Sequence, residues 1–114
     1  MRFEDLEVWQ EAPRLVLAIC GATQQFPREE RLGLAQQLRR APVSVAANIA
    51  AGFKRRTVKE KAQFYGIGQG SMEEVRYHLM LAEHLGYLPG AEPFLADVDR
   101  GQRMLHAPVS SLER

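Results

Sequence analysis

One cysteine, Cys20, stands in a sequence of 114 residues. A lone thiol excludes an internal disulfide and a four-cysteine metal site, and it suits a reducing compartment. No run approaches the ~20 apolar residues of a membrane-spanning helix. The opening stretch, MRFEDLEVW, carries acids early and has no apolar signal core. A cytoplasmic protein without a membrane partner is therefore expected. Strand-type alternation is missing too, and the chemistry of catalysis is sparse. The three histidines, His78, His84 and His106, lack metal-ligand companions at useful spacing. A di-iron bundle needs Glu-x-x-His on two helices, whereas Glu74 and His78 form a single pair four residues apart. YGIGQG (Tyr65–Gly70) follows no strand and lies inside a helical pattern, so close helix packing at Gly68 and Gly70 explains it better than a phosphate loop. No nucleophile–base pair and no paired carboxylates stand out. The expectation is a protein with no catalytic residues, no metal and no cofactor.

What is present is helical periodicity, with apolar residues recurring at three and four. A first helix is predicted from about Asp5 to Phe26, with Leu6, Trp9, Val16, Ile19 and Thr23 on one side. Phe26-Pro27 stops it. A second is predicted from Arg28, where Glu29 and Glu30 suit the positive end of a helix dipole, to Gly52 as its C-cap. A third opens with a capping box, Thr57-x-x-Glu60, and runs to about Leu85, where Gly86 ends it. Its stripe is Phe64, Gly68, Met72, Val75, Leu79 and Ala82. A fourth begins near Pro93 and shows Leu95, Val98, Leu105, Val109 and Leu112. The connections are short, so successive helices should be antiparallel. One all-α domain over residues 1–114, an up-down-up-down four-helix bundle, is the predicted fold. Pro13, Pro42 and Pro108 fall inside three of the patterns, where bends are expected. Pro13 and Pro108 could instead mark helix boundaries.

The second helix is unusual. Leu34, Leu38, Ala41, Val45 and Ile49 share one face, the core stripe. Beyond Ala41 the opposite side turns apolar as well: Val43, Ala46, Ala47 and Ala50 replace Gln36 and Arg39. A four-helix monomer buries one stripe per helix, so this second apolar side predicts self-association through Val43, Ala46, Ala47 and Ala50. The plainer alternative is that alanines favour helix and face water. Ser44 and Asn48, four apart, lie together with Gln37 on one shoulder of the stripe. If buried they need hydrogen-bond partners, which a neighbouring helix can provide.

Charge is segregated. From Arg39 to Lys61 there are seven bases (Arg39, Arg40, Lys54, Arg55, Arg56, Lys59 and Lys61) against Glu60 alone, a balance of +6, while the rest of the chain sums to −5. Five of the bases surround a predicted helix start, where backbone N–H groups favour anions. Nucleic-acid backbone is the polyanion such a cluster suits, bound by charge more than by base readout. The neighbouring aromatics, Phe53, Phe64 and Tyr65, are too few to argue base stacking. A solvated loop, or a basic loop that meets an acidic protein partner, is the competing reading.

Three blocks carry a resemblance: FEDLEVWQEA, then FPREERLGLAQQLRRAPVSVAANIAAG, then GQGSMEEVRYHLMLAEHLGYL. Together they resemble the four-helix-bundle proteins named after 23S ribosomal RNA intervening sequences, over nearly the whole chain. The resemblance implies a bacterial, cytosolic homo-oligomer, pentameric in known relatives. One relative is the accessory protein of diversity-generating retroelements, which binds nucleic acid and works with a reverse transcriptase; this implies nucleic acid and such an enzyme as partners. Carried over by position, the family signature falls on Glu30, Gln37, Arg39, Arg40, Ser44, Asn48 and Gly52, then on Gly70, Ser71 and Glu74. Ala51 departs from it, standing where the family usually has glutamate. A polar network of Glu30, Gln37, Arg40, Ser44, Asn48 and Glu74 is expected, with Arg40 and Glu74 meeting across the groove between the second and third helices.

Overall fold

The structure, a computed structural model, describes the backbone of residues 7–112 and the side chains of residues 11–105. The expectations for Leu6, and for the side chains of Trp9, Val109 and Leu112, lie outside the described residues. Four helices form: α1 (Glu7–Thr23), α2 (Leu34–Phe53), α3 (Val58–His84) and α4 (Glu92–Leu112). Among the described residues there is no strand. Each helix packs on its neighbours in sequence, and α4 closes the ring against α1. Residue pairs run in opposite senses across neighbours. On α2 and α3, Ser44 meets Ser71 and Gly52 meets Tyr65. On α3 and α4, Gln69 meets Gln102 and Arg76 meets Asp99. This contact order is consistent with an up-down-up-down bundle.

The predicted α2 stripe is buried along its whole length, from Leu34 to Ile49. It meets Val75 and Leu79 of α3, Val98 and Leu105 of α4, and Ile19 of α1 in one core. Among the described α1 side chains, residues 11–23, the buried ones are Ala12, Leu15, Ile19 and Thr23, and Val16 is only half-buried. Leu15 and Val16 are both apolar and adjacent, so periodicity alone does not choose between them. Packing beside Pro42 and Val45 chooses Leu15. Likewise, Tyr65 is buried on α3 while Phe64 is half-exposed, because Tyr65 turns its ring onto Gly52.

The helix ends follow local chemistry, with two corrections. The capping side chain of α3 is present: Thr57 Oγ1 accepts from the Glu60 N–H at 3.1 Å. At its far end Tyr87 N–H bonds Ala82 O and Gly86 N–H bonds Glu83 O. With Gly86 at φ +80°, this is a Schellman stop. The second helix, however, starts at Leu34 and not at Arg28. Residues Arg28–Glu30 form a separate 3-10 turn, and Gly33 leaves helical geometry at φ −109°, ψ −113°. The Glu30 carboxylate then reaches forward and accepts the Leu34 N–H at 3.3 Å, replacing the missing cap. Gly52 is also not a C-cap. It lies inside α2, which continues through Phe53. Pro13 and Pro42 sit within continuous helices, Pro42 fully buried, and α4 runs through Pro108.

Candidate nucleic-acid interface

The basic residues do not form one patch. Arg39 and Lys54 are fifteen residues apart on or next to α2, which at 1.5 Å per residue separates them by about 22 Å. Their environments differ as well. Lys54, Arg55 and Arg56 occupy the connection between α2 and α3, Lys59 lies in the first turn of α3, and all four are exposed. The Arg55 guanidinium lies 4.5 Å from the centre of the Phe64 ring. A guanidinium resting over an aromatic face can still present N–H donors to an anion.

Two of the seven bases are engaged inside the protein. Lys61 is half-buried, and its ammonium donates to the Phe53 carbonyl at 2.8 Å. It thereby satisfies the open carbonyl end of α2, a cationic cap on the negative end of the helix dipole. Arg39 is half-buried, and its Nε–H donates to Thr23 Oγ1 at 3.0 Å, tying α2 to the end of α1. Arg40 is exposed on α2. Neither internal role is visible from charge counting, because each acceptor belongs to another segment.

The expected polar network is only partly assembled. Asn48 Nδ2 donates to Ser44 O at 2.8 Å and to Ser44 Oγ at 3.1 Å. Ser44 Oγ in turn shares a hydrogen bond with Ser71 Oγ at 3.1 Å. This chain crosses from α2 to α3 where Gly68 lies close to the α2 backbone, with space at its Cβ position 3.8 Å from Val45 O. Gly70, by contrast, faces open space, so it is not a packing glycine. Gln37, Arg40 and Glu74 are exposed, and Arg40 and Glu74 form no ion pair. On the outside of the bundle two free rotamer-rich side chains gain little from pairing. Glu30 works elsewhere. Besides the Leu34 N–H, it accepts from the Tyr87 hydroxyl at 3.0 Å, and that bond holds the Tyr87 proton above the usual phenol range. It ties the 3-10 turn to the end of α3. Asn48→Ala is expected to lower stability by about 1 kcal/mol, the usual net value of such a hydrogen bond. The denaturation midpoint measures this, and an unchanged midpoint would place the Asn48 amide in water.

A family model for the 23S rRNA-intervening sequence protein matches residues 4–107. The chain belongs to that family. No curated protein matches it. As a 23S rRNA-intervening sequence protein, it carries the fold that its sequence blocks imply. Ser44, Asn48 and Ser71, three of the positions carried over by resemblance, are linked to one another by hydrogen bonds. Ala51, the position at which the resemblance implies a glutamate, is half-buried on α2. The family's name points to an RNA-related setting. Among the described residues no helix is long and apolar enough to cross a membrane.

The predicted self-association residues are split in exposure. Val43 is 53% exposed, Ala47 is exposed, and Ala46 and Ala50 are half-buried. The neighbouring α3 adds exposed Ile67 and Tyr77. Sequence reading missed these two, because they fall outside α3's core stripe and look like isolated surface residues. It also missed Arg28 and Arg31, which lie in one cleft with Arg39. Sixteen residues and a change of direction separate Thr23 from Arg39, so no spacing rule joins them.

Proposed function

We propose that this member of the family is a non-catalytic, cytoplasmic homo-oligomer that binds nucleic acid through the loop between α2 and α3. The observation that carries the reading is the state of Lys54, Arg55, Arg56 and Lys59. All four are exposed, and none has a carboxylate partner among the described residues. Elsewhere in the bundle Arg14, Arg76 and Arg100 each pair with an acid, while Arg28, Arg31, Arg39 and Arg40 have no carboxylate partner among the described residues. Unpaired cations at the start of a helix suit phosphates, with little base discrimination. The test is binding of generic RNA and DNA at low salt by the intact protein and by a loop-neutralised variant. Absence of binding, together with retention of one specific acidic protein, would favour an adaptor role.

Self-association is part of this reading, since an assembly would repeat the loop around itself. Val43 and Ala47 on α2 and Ile67 and Tyr77 on α3 are apolar or small side chains that the single chain leaves exposed. Ala47→Glu is expected to break the assembly, because an interface buries the new charge without a partner. Light scattering should read several times 12.9 kDa for the parent protein and one chain mass for the variant. A monomeric parent would remove the argument.

A further inference from the structure

A second cationic site lies apart from the loop. The end of α1, the connection to α2 and the first half of α2 enclose a cleft of about 380 Å³. Three arginines line it, Arg28, Arg31 and Arg39, together with Thr23 and Gln24, and no carboxylate does. Arg39 is half-buried and anchored at Nε by Thr23. Its two terminal amino groups have no partner among the described residues, and neither do the side chains of Arg28 and Arg31.

Three arginines on one cleft with no carboxylate in its lining make it a cationic surface, which an anion would complement. Two internal candidates are already occupied. The last carbonyls of α1 need no arginine: Cys20 O accepts from the Thr23 hydroxyl, and Gly21, Ala22 and Thr23 accept from the amides of Gln24, Gln25 and Phe26. Glu30, half-buried in the adjoining 3-10 turn, gives one oxygen to the Leu34 N–H and the other to Tyr87. Glu29 is exposed and does not line the cleft.

We infer that this cleft binds a terminal phosphate monoester. A monoester carries a charge of about −1.5 to −2 near neutral pH and three free oxygens. Planar guanidinium forks grip such oxygens two at a time. An internal phosphodiester offers one charge and two free oxygens, a poorer match to three arginines in a concave site. The apolar wall is Phe26, whose ring is buried and tilted against Tyr87 at 5.4 Å between centroids. That ring is unavailable for base stacking, so the cleft reads the phosphate and not the base. The source is either the phosphorylated end of a nucleic acid or a free mononucleotide. This site is independent of the loop proposed above, and either can fail alone.

The test uses the full chain in its native assembly at low salt. The probes are one short single-stranded RNA with a 5′-phosphate, the same RNA with a 5′-hydroxyl, and a nucleoside 5′-monophosphate. The phosphorylated RNA should bind about tenfold more tightly, the return of one extra charge-assisted contact set. Arg28→Gln with Arg31→Gln, both at exposed positions that leave the Thr23 anchor intact, should abolish that advantage. Arg55→Gln with Arg56→Gln should preserve it. The Arg39 Nε–H resonance should shift on adding the monophosphate. If the monophosphate erases the advantage at a concentration similar to that of the RNA, a free nucleotide suffices as ligand. If it needs a hundredfold more, a nucleic-acid end is the ligand. Should neither RNA bind while the monophosphate still shifts Arg39, the loop reading fails and the cleft stands. Equal binding of the two RNAs with an unmoved Arg39 signal would overturn the cleft, as would a tenfold advantage that survives the Arg28 and Arg31 substitutions.

Discussion

Gly52→Val is expected to destabilise the protein by about 3 kcal/mol, the upper end of the usual cost of overpacking a core. Even the first added carbon meets Tyr65 Cε1 at 2.8 Å and Phe64 Cβ at 3.0 Å. The ring of Tyr65 is buried, so either it or the spacing of α2 and α3 must shift to admit the new side chain. Gly66→Ala is the matched control. A methyl there meets nothing within 4 Å, on an exposed turn of α3. Replacing a mid-helix glycine should then stabilise by about 0.5–1 kcal/mol. Thermal unfolding reads both. For a domain of this size the first change should lower Tm by roughly 10 °C and the second should raise it by a few degrees. A Gly52→Val protein as stable as the parent would mean that the contact with Tyr65 is loose, and the account of why glycine stands at that position would be wrong.

Neutralising the loop should abolish measurable salt-sensitive binding of nucleic acid. If Lys54, Arg55, Arg56 and Lys59 each neutralise one phosphate, raising salt from 50 to 200 mM should cost about two orders of magnitude in affinity per loop, from a slope of about −0.9 per contact. Substituting glutamine at Arg55 and Arg56 removes two of the four contacts and should halve the slope of log affinity against log salt. The effect should be the same for unrelated sequences. Folding should be untouched, since the capping bond of α3 comes from Thr57 and the cap of α2 comes from Lys61. Lys61→Gln separates the two roles. It should lower stability through the lost cap while changing the salt slope less than an Arg55 substitution. A slope unchanged by the loop substitutions would move the binding site to Arg40 or to the cleft of Arg28, Arg31 and Arg39.

Local rules carried far in this protein. The stripe Leu34, Leu38, Ala41, Val45 and Ile49, the Thr57 cap, the Gly86 stop and the segregated charge were all legible in the sequence. Each depends on residues within a turn or two of one another, or on a plain count. Adjacent apolar residues marked the limit of such rules: Leu15 against Val16, and Tyr65 against Phe64, differ only in which partner they meet.

Tertiary structure decided the rest, because the partners come from distant segments. Gly52 looks like a helix stop in the sequence; it is a contact point for a tyrosine thirteen residues on. Lys61 and Arg39 count as two free positive charges until the carbonyl of Phe53 and the hydroxyl of Thr23 are brought to them. Arg40 and Glu74, apt for pairing by sequence, stay exposed and form no ion pair with each other, because the bundle leaves both in water. Arg28 and Arg31 join Arg39 only after the chain reverses between α1 and α2. Helical periodicity states which side of a helix is apolar, whereas the free or engaged state of a charge depends on what the fold places within three ångströms of it.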